Sequence, residues 1–315
     1  MIFHSNYLSQ HMKTKVAMIG GSGFIGTTLT ELLSEQGACI TIFDLVKPAK
    51  QNDNVSYVYY DVRENKPFPD TISAYGYFYF LAACLGKGCA EHPHNGWQTN
   101  VWGLTHLLSE VALYDSKPFV IFTSSVAVYD EPQCNGPIKE HAPIKGTDLY
   151  GISKVAGESV VRASCVAHGM KSAIVRLFTV YGHGPASAAK GHFLPTWIEQ
   201  VVQRNRITIF GDGSQMIDLT DVRDVARALV SVARLELRKG DCRIMNVATG
   251  IGTTVNEVAH WFKQVKPDLE IVYDRSKSIN KQVLMADIST AQETLGYRPK
   301  ISAKDGIIEL LKAAL

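Results

Sequence analysis

Short apolar runs alternate with segments of helical periodicity through the first half of the chain. The apolar runs predict strands at 15–19, 38–43, 55–60, 77–82, 118–123 and 171–178. The periodic segments predict helices at 27–36, 95–114 and 149–168. Strands that alternate with helices favour an α/β fold, a doubly wound parallel sheet of the Rossmann type with helices on both faces.

The regular alternation stops at Thr179. Beyond this residue the sequence predicts helices at 193–203, 222–237 and 254–266 and after Ser302, with short strands at 207–210 and 243–247. Residues 211–214 resemble a hairpin turn, and strand 243–247 is placed to rejoin the main sheet. We therefore predict a disordered extension at 1–13, a Rossmann domain at 14–178, and a smaller lobe at 179–315 whose segments at about 218–248 return to the Rossmann domain.

A glycine-rich turn, Gly20-Gly-Ser-Gly-Phe-Ile-Gly26, joins the first strand to the first helix. Gly20 permits the tight turn, Gly23 lets the backbone approach a pyrophosphate, and Gly26 lets helix and strand pack closely. Asp44, at the end of the second strand, is placed to accept hydrogen bonds from a ribose, and its charge favours NAD over NADP. The pattern predicts that NAD is bound by Gly20, Gly23, Phe24, Ile25, Gly26 and Asp44.

Further cofactor contacts are predicted at the ends of the third and fourth strands. Asp61, followed by Val62, can accept a hydrogen bond from the adenine amino group or can cap its own strand. The small residues in Leu81-Ala82-Ala83 suit a cofactor that passes over the sheet. Asn100, inside predicted helix 95–114, can hydrogen-bond the backbone of the neighbouring active-site strand or can face solvent.

Tyr150 and Lys154 lie four residues apart and share one face of predicted helix 149–168. An ammonium group near the phenol favours the phenolate, and lowering the tyrosine pKa by about 3 units takes roughly 4 kcal/mol. Lys154 and a nicotinamide cation could supply this together. The hydroxyl of Ser125, at the end of strand 118–123, can hydrogen-bond a substrate oxygen or cap the next turn. Residues 130–148 are rich in Pro, Gly and polar side chains and predict a loop over this site.

Composition excludes several other classes of protein. A hydrophobic content of 46% and a charged content of 20% are typical of globular enzymes, and a net charge of +2 indicates neither a nucleic-acid nor a membrane surface. No apolar run is long enough to span a bilayer and the polar N-terminus lacks a signal-peptide core, so we expect a cytoplasmic protein. The six cysteines form no Cys-x-x-Cys pair and the histidines lack metal-ligand spacing, so we expect reduced thiols and no metal.

Taken together, the motifs are similar to those of the extended short-chain dehydrogenase/reductase family, and within it to NAD-dependent nucleotide-sugar epimerases such as UDP-glucose 4-epimerase. The resemblance covers almost the whole chain. It is carried by Gly20-x-x-Gly23-x-x-Gly26, Leu81-Ala-Ala83, Ser125-x-x-Val-Tyr129, Tyr150-x-x-x-Lys154, Arg176-Leu-Phe-x-Val-Tyr-Gly182, Gly211-Asp-Gly-Ser-Gln215, Ala286-Asp-Ile288 and Leu295-Gly-Tyr-Arg-Pro299.

The resemblance implies a catalytic triad of Ser125, Tyr150 and Lys154. Tyr150, helped by Ser125, would take the proton of a sugar hydroxyl while hydride passes to NAD, and Lys154 would hold the nicotinamide ribose. The keto-sugar would then present its other face and take the hydride back, with C4 as the expected position. The resemblance also implies a homodimer through helices 95–114 and 149–168.

The two residues that directly follow Ser125 reduce the number of reactions to be considered. Related 4,6-dehydratases have an Asp-Glu pair there, and the related decarboxylases usually keep the Glu. This chain has Val126-Ala127, which can act neither as acid nor as base. Dehydration and decarboxylation are therefore not expected.

The predicted substrate-binding lobe departs from the family pattern. The family commonly has Asn, Arg and Tyr where this chain has Thr179, Ile217 and Asp221, and an Arg-Pro-Gly motif aligns with Lys277-Ser-Ile. Loss of a guanidinium removes a bidentate phosphate clamp, and Asp221 would oppose an anion. The predicted substrate-binding residues are Cys84, Ser125, Tyr150, Thr179, His192, Phe193, Ile217 and Lys277.

These departures leave three functions open. The first is an NAD-dependent nucleotide-sugar epimerase acting on a small-molecule substrate. The second is a dehydrogenase or ketoreductase of the same family acting on a non-nucleotide or unusual nucleotide substrate. The third is a non-catalytic NAD-binding protein, which the presence of both Tyr150 and Lys154 argues against.

Overall fold

The computed structural model describes residues 15–50, 53–130, 136–184, 193–276 and 283–315. The strands are β1 (Lys15–Ile19), β2 (Cys39–Asp44), β3 (Val55–Tyr59), β4 (Tyr75–Phe80), β5 (Phe119–Ser125), β6 (Ser172–Leu177), β7 (Thr179–Tyr181), β8 (Arg206–Phe210), β9 (Met216–Asp221), β10 (Cys242–Val247), β11 (Gly252–Thr254), β12 (Glu270–Asp274) and β13 (Val283–Leu284). The α-helices are α1 (Phe24–Glu35), α2 (Gly86–Glu91), α3 (Pro93–Trp97), α4 (Gly103–Ala112), α5 (Leu149–His168), α6 (Phe193–Arg204), α7 (Val222–Val232), α8 (Val255–Val265), α9 (Ser289–Leu295) and α10 (Ala303–Ala314).

Seven parallel strands form the central sheet, in the order β10-β6-β5-β4-β1-β2-β3. The chain runs outward in one direction from β1 through β2 to β3 and in the other from β4 through β5 to β6. The strand order therefore reverses between β1 and β4, and a crevice opens there at the carboxyl ends of the strands. All six predicted strands of the first half are present, and the predicted doubly wound Rossmann-type fold is confirmed.

Helices cover both faces of this sheet, because each face is apolar. Leu29 of α1 and Leu229 of α7 belong to the core on one face. Leu104 of α4 and Val161 of α5 belong to the core on the other, together with Phe122 of β5. Strands covered on both faces need apolar residues at nearly every position, which explains the continuous apolar runs of the sequence.

The C-terminal part adds a smaller mixed sheet and a separate core. Strand β9 lies at the centre of this sheet, between antiparallel β11 and the parallel partners β7 and β13. Trp197 of α6, Phe262 of α8 and Ile307 of α10 form the core beside it. Strand β10 leaves this region and pairs with β6 at the edge of the large sheet.

Three local predictions were wrong. Predicted helix 95–114 is interrupted by a π-helical turn, Gln98–Trp102, between α3 and α4. Residues 211–214 do not close a hairpin, because the strands on either side of them belong to different sheets. Strand β8 pairs with β12 in a two-stranded sheet, whereas β9 belongs to the smaller mixed sheet. Predicted helix 222–237 ends at Val232.

The glycine turn before α1 gives the first test of the fold. A methyl group at Gly26 would lie 2.5 Å from the carbonyl oxygen of Gly21, so Gly26→Ala should force α1 away from β1. We expect the free energy of unfolding in denaturant to fall by roughly 2–3 kcal/mol. The matched control is Gly86→Ala at the first position of α2, where a methyl group meets nothing within 4 Å. An equal loss in both variants would contradict close packing as the reason for Gly26.

Candidate active site

The glycine turn lies between the ends of β2 and β4. Gly20 has a φ of +82°, and its amide donates to the carbonyl of Phe43 at 2.8 Å. A methyl group at Gly20 would lie 2.5 Å from the amide nitrogen of Ala82. The turn is therefore packed against the segment after β4 as closely as the backbone allows, and both the positive φ and the lack of room for a side chain require glycine.

The N-terminus of α1 follows this turn. Its capping residue is Gly23, and within the described chain no side chain caps the helix. The first amides of α1 thus remain available, and a helix N-terminus with available amides binds phosphate groups. Gly20, Gly23 and the first turn of α1, where Phe24 and Ile25 stand, fit the pyrophosphate of NAD.

Asp44 ties the glycine turn to the end of β2. Its carboxylate accepts hydrogen bonds from the amides of Ser22 at 2.9 Å and Val46 at 3.1 Å. The Ser22 hydroxyl donates to the carbonyl of Val46 at 2.6 Å, which closes the loop. A carboxylate offers about four lone-pair sites, so Asp44 retains acceptor capacity for ribose hydroxyls.

Asp61 is engaged within the protein. Its carboxylate accepts from the Arg63 guanidinium at 2.6 and 2.9 Å, and this hydrogen bonding lowers the pKa of Asp61. Arg63 is therefore the partner of Asp61 in the alternative role, that of capping its own strand. The contact with adenine stays a prediction. The neighbouring Val62 is buried beneath α4, where a methyl group at Gly103 would lie 2.6 Å from the Val62 carbonyl oxygen.

Ser125 and Tyr150 meet where β5 ends and α5 begins. The Ser125 side chain accepts from the amide of Ala127 at 3.2 Å and so turns the chain after β5. Asp148 caps α5 by accepting from the amide of Gly151 at 2.7 Å. A methyl group at Gly151 would collide with the carbonyl oxygen of Ala127, so this glycine lets the start of α5 reach the end of β5.

Lys154 is buried between α5 and β5, with only 2% of its surface exposed. Its Nζ donates to the carbonyl of Thr123 at 2.9 Å and lies 4.8 Å from the ring centroid of Phe122. The same atom lies 5.9 Å from the ring centroid of Tyr150. The predicted triad of Ser125, Tyr150 and Lys154 is therefore brought together.

The sequence predicts that Lys154 and a nicotinamide cation together lower the pKa of Tyr150, and the protein by itself acts in the opposite direction. Burial raises the pKa of Tyr150 to about 12, and a hydrogen bond with the Ser125 side chain opposes this rise. Burial lowers the pKa of Lys154 to about 8, while Cys89 and Glu158 oppose the fall. In the protein by itself, burial therefore favours the neutral form of both side chains.

Asn100 is fully buried in the π-helical turn and fixes the end of β4. Its side-chain oxygen accepts from the amide of Cys84 at 2.8 Å, and its amide nitrogen donates to the carbonyl of Cys84 at 2.9 Å. The same nitrogen donates to the hydroxyl of Ser153 at 2.9 Å. The structure thus favours the role of fixing the backbone over the role of facing solvent. Asn100 lies in the π turn, a feature that is frequent at functional sites, and this turn aims its side chain at Cys84.

Two cysteines stand beside this asparagine. The Cys89 thiol is buried and donates to the carbonyl of Cys84 at 3.1 Å, and burial raises the pKa of Cys89 to about 12. Cys84 is half-buried in the segment that follows β4. In the parts of the chain that the structure describes, no group of three or more His, Cys, Asp or Glu side chains could hold a metal ion.

The predicted substrate residues lie on several elements of the C-terminal part. Thr179 begins β7, half-buried Ile217 lies on β9, and Phe193 begins α6 with its ring edge-on to Trp197 at 5.0 Å. His192 and Lys277 lie outside the described residues.

Asp221 behaves differently from its predicted role. It is buried, caps α7 through the amide of Arg223, and pairs with the Arg223 guanidinium at 2.9 Å. Its charge is compensated within the protein, so the predicted repulsion of a substrate anion is not supported.

Sequence reasoning missed several residues that position the triad. Gly151, directly after Tyr150, was a signal in the sequence, because a helix that starts in contact with a strand end needs a glycine at the contact. Ser124, Glu158 and Arg176 form a buried cluster behind the triad. Arg176 stands in a motif singled out from the sequence, but nothing local to it predicts its partners.

The chain matches the model of the NAD dependent epimerase/dehydratase family over residues 16–248. It is 29% identical to a putative UDP-glucose 4-epimerase of Methanocaldococcus jannaschii, over 93% of this chain and 95% of the relative. It is 30% identical to a UDP-glucose 4-epimerase of Streptomyces lividans, over 91% of this chain and 92% of the relative.

A solved structure agrees with these relatives. UDP-glucose 4-epimerase of Thermotoga maritima, crystallised with UDP-glucose, superimposes with a TM-score of 0.84 at 25% identity and covers 95% of this chain and 98% of its own. Among the described helices none is long and apolar enough to cross a membrane. The glycine turn, the uncapped helix start and the family match agree on the cofactor and the class of protein: the chain is an enzyme of the NAD dependent epimerase/dehydratase family.

Proposed function

We propose that this protein is an NAD-dependent nucleotide-sugar 4-epimerase in which Tyr150 is the catalytic base. The observation that carries the proposal is the meeting of Ser125, Tyr150 and Lys154 at the carboxyl edge of the sheet, beside the glycine turn. Ligands of doubly wound sheets bind at this edge, where the strand order reverses. The sugar hydroxyl to be oxidised would therefore lie between the Ser125 hydroxyl and the phenol.

In this proposal, the protein side chains transfer a single proton, and the phenol oxygen of Tyr150 receives it. Tyr150 takes the proton of the C4 hydroxyl through its phenol oxygen, and Ser125 holds both oxygens by hydrogen bonds. The glycine turn and the first turn of α1 would hold NAD, which would supply a reversible acceptor for the C4 hydride. Its nicotinamide cation also adds the positive charge that Lys154 alone does not supply, since burial holds the phenol in its neutral form.

The turn after Ser125 supports epimerisation over dehydration. Val126 and Ala127 form a short 3₁₀ turn whose amide at Ala127 is bonded to the Ser125 side chain. Neither side chain can transfer a proton. Among the residues of this turn, Ser125 alone carries a group that can take part in proton transfer.

The relatives named UDP-glucose 4-epimerase support a UDP-sugar as substrate. A dehydrogenase or ketoreductase acting on an unusual substrate remains the second candidate because of Ile217. This apolar side chain packs against the C-terminal core at a position where the family commonly has a phosphate-binding arginine. A homodimer through α4 and α5 remains a prediction.

The first test removes the proposed base. Tyr150→Phe should slow the interconversion of UDP-glucose and UDP-galactose by at least about 10²-fold, because the variant lacks the proposed base. Bound NAD, measured by absorbance of the denatured supernatant, should be unchanged. Tyr75→Phe is the control, since Tyr75 hydrogen-bonds Asp70 at the opposite end of β4. Full activity in Tyr150→Phe would exclude this mechanism.

The second test separates the two candidate reactions. Purified protein without added cofactor should interconvert a gluco/galacto pair with no net rise of absorbance at the NADH wavelength, because the hydride returns to the sugar. The substrate is identified by a thermal-shift screen of UDP-, GDP-, dTDP- and CDP-sugars, since a ligand that binds the folded state raises the midpoint. Accumulation of NADH, or no response to any nucleotide, would instead favour the dehydrogenase.

The third test concerns the cost of burying Lys154. Its pKa is lowered from 10.5 to about 8, so the folded state releases this proton at lower pH than the unfolded state. The charged form is therefore destabilising by roughly 3 kcal/mol below pH 8, and this penalty disappears as the pH rises to 10.5.

Lys154→Met should be inactive yet at least as stable as the wild type at pH 7, and its advantage in stability should shrink towards pH 10.5. Chemical denaturation at several pH values measures this, with exposed Lys145→Met as control. A stability difference that does not depend on pH would contradict the lowered pKa.

A further inference from the structure

We infer that Glu158 is a positioning residue, which fixes α5 against β5 so that Tyr150 and Lys154 stand beside Ser125. Its consequence for catalysis rests on the proposed function, but its effect on the geometry and charge of Lys154 does not. Glu158 lies four residues after Lys154, hence on the same face of α5. Only 2% of its surface is exposed.

This face of α5 binds consecutive residues of β5. Lys154 donates to the carbonyl of Thr123 at 2.9 Å, and the carboxylate of Glu158 accepts from the hydroxyl of Ser124 at 2.6 Å. The next residue of β5 is Ser125. A shift of α5 along the strand would break both bonds and change the distance between Ser125 and Tyr150.

Apolar packing brings the helix close but does not set its position along the strand. A methyl group at Gly157 would lie 2.9 Å from the ring of Phe122, and one at Gly151 would collide with Ala127. Two glycines therefore give a smooth contact surface, over which a helix can slide. The directional bonds of Lys154 and Glu158 select one position.

Glu158 is itself held from a third element. Arg176 of β6 donates to both carboxylate oxygens, at 2.8 Å through Nε and 2.7 Å through Nη2. The remaining terminal nitrogen donates to the hydroxyl of Tyr129 at 3.0 Å and the carbonyl of Glu140 at 2.8 Å. A bidentate pair of this kind fixes orientation as well as distance.

The support continues to the edge of the sheet. The Tyr129 hydroxyl donates to the side-chain oxygen of Asn246 on β10 at 2.6 Å, and the guanidinium carbon of Arg176 lies 4.8 Å from the ring centroid of Tyr129. Both Tyr129 and Asn246 are fully buried. The carboxylate of Glu158 therefore belongs to a buried hydrogen-bond network that runs through Arg176 of β6 and Tyr129 after β5 to Asn246 of β10.

Glu158 also acts on the charge of Lys154. The groups that face this ammonium are Tyr150 and Glu158 from α5, Cys89 from α2, and Thr123 with the Phe122 ring from β5. The negative charge of Glu158 raises the pKa of Lys154 against the larger effect of burial. It therefore helps to keep the ammonium charged near neutral pH, where the charge is needed beside the phenol.

The test replaces the pair without leaving a buried charge. Glu158→Gln with Arg176→Met removes one charge of each sign, so the variant keeps its net charge and approximate volume. The first readout needs no activity: the pKa of Lys154 is followed by NMR of the ¹³Cε resonance in ¹³C-lysine protein, assigned with Lys154→Met. We expect that pKa to fall by about 0.5 unit or more, because Glu158 acts directly on the Lys154 ammonium whereas Arg176 is not among the groups that do.

The second readout is kinetic. With Lys154 charged over a narrower range, the phenol loses stabilisation of its anion, so the acid limb of kcat should move to higher pH. We expect kcat with UDP-glucose to fall about tenfold or more while KM changes less than about threefold, because the changed step is proton transfer and not substrate binding. A merely structural role would lower the melting temperature and leave both the pKa and the pH profile in place.

The matched control is a second ion pair, far from the triad, whose carboxylate is buried and whose arginine is half-buried. Asp224 of α7 is fully buried, pairs with Arg227 and accepts from the amides of Lys300 and Ile301. Asp224→Asn with Arg227→Met should lower the melting temperature but leave the pKa of Lys154 and the pH profile unchanged. An unchanged pKa of Lys154 in the Glu158 variant would overturn the inference. If the wild type converts no nucleotide sugar, the proposed function fails while the NMR result still decides the role of Glu158.

Discussion

The buried ammonium of Lys154 is the constraint on which the rest of the site depends. An unpaired charge in a protein interior costs several kcal/mol unless polar groups replace its hydration. Here the carbonyl of Thr123, the ring of Phe122 and the carboxylate of Glu158 surround it. These groups belong to β5 and α5, so the strand and the helix must be in direct contact. The side chain that gives the site its positive charge therefore also dictates how closely its two main elements pack.

The same burial acts on both members of the pair and pushes both towards their neutral forms. It raises the pKa of the Tyr150 phenol to about 12 and lowers that of the Lys154 ammonium to about 8. On the proposed mechanism, the phenol stays protonated until the nicotinamide cation adds a second positive charge, so Tyr150 would act as a base only with the cofactor in place. The glycine turn, which fits the pyrophosphate, would then contribute to the acid–base chemistry although it follows a different strand.

How far the sequence predicted this molecule depends on how local each signal is. The strands around the glycine turn were predictable, because an apolar strand, a turn and a helix leave their mark within about thirty residues. The proximity of Ser125, Tyr150 and Lys154 was predictable because each lies in a short motif. The π turn at Asn100 was not, since the segment 95–114 has continuous helical periodicity and the interruption serves a contact with Cys84. Glu158 and Arg176 were not predicted either, because their partnership joins a helix to a strand and is decided by tertiary packing.

Strands β7, β9, β11, β12 and β13 of the C-terminal part were not predicted, for a related reason, whereas β8 and β10 were. Strand β9 also explains the unusual residues of this part. Strand β9 is held by pairing on both sides, and Asp218 within it accepts hydrogen bonds from the amides of Thr249, Gly250 and Ala286. Its neighbour Ile217 packs into the core of the lobe, and Asp221 is neutralised by Arg223. The polar and apolar groups of β9 are thus committed to holding the lobe together. Since position 217 carries no guanidinium, the proposed nucleotide-sugar substrate would have to be held at its phosphates by backbone amides and by residues from other segments of the lobe.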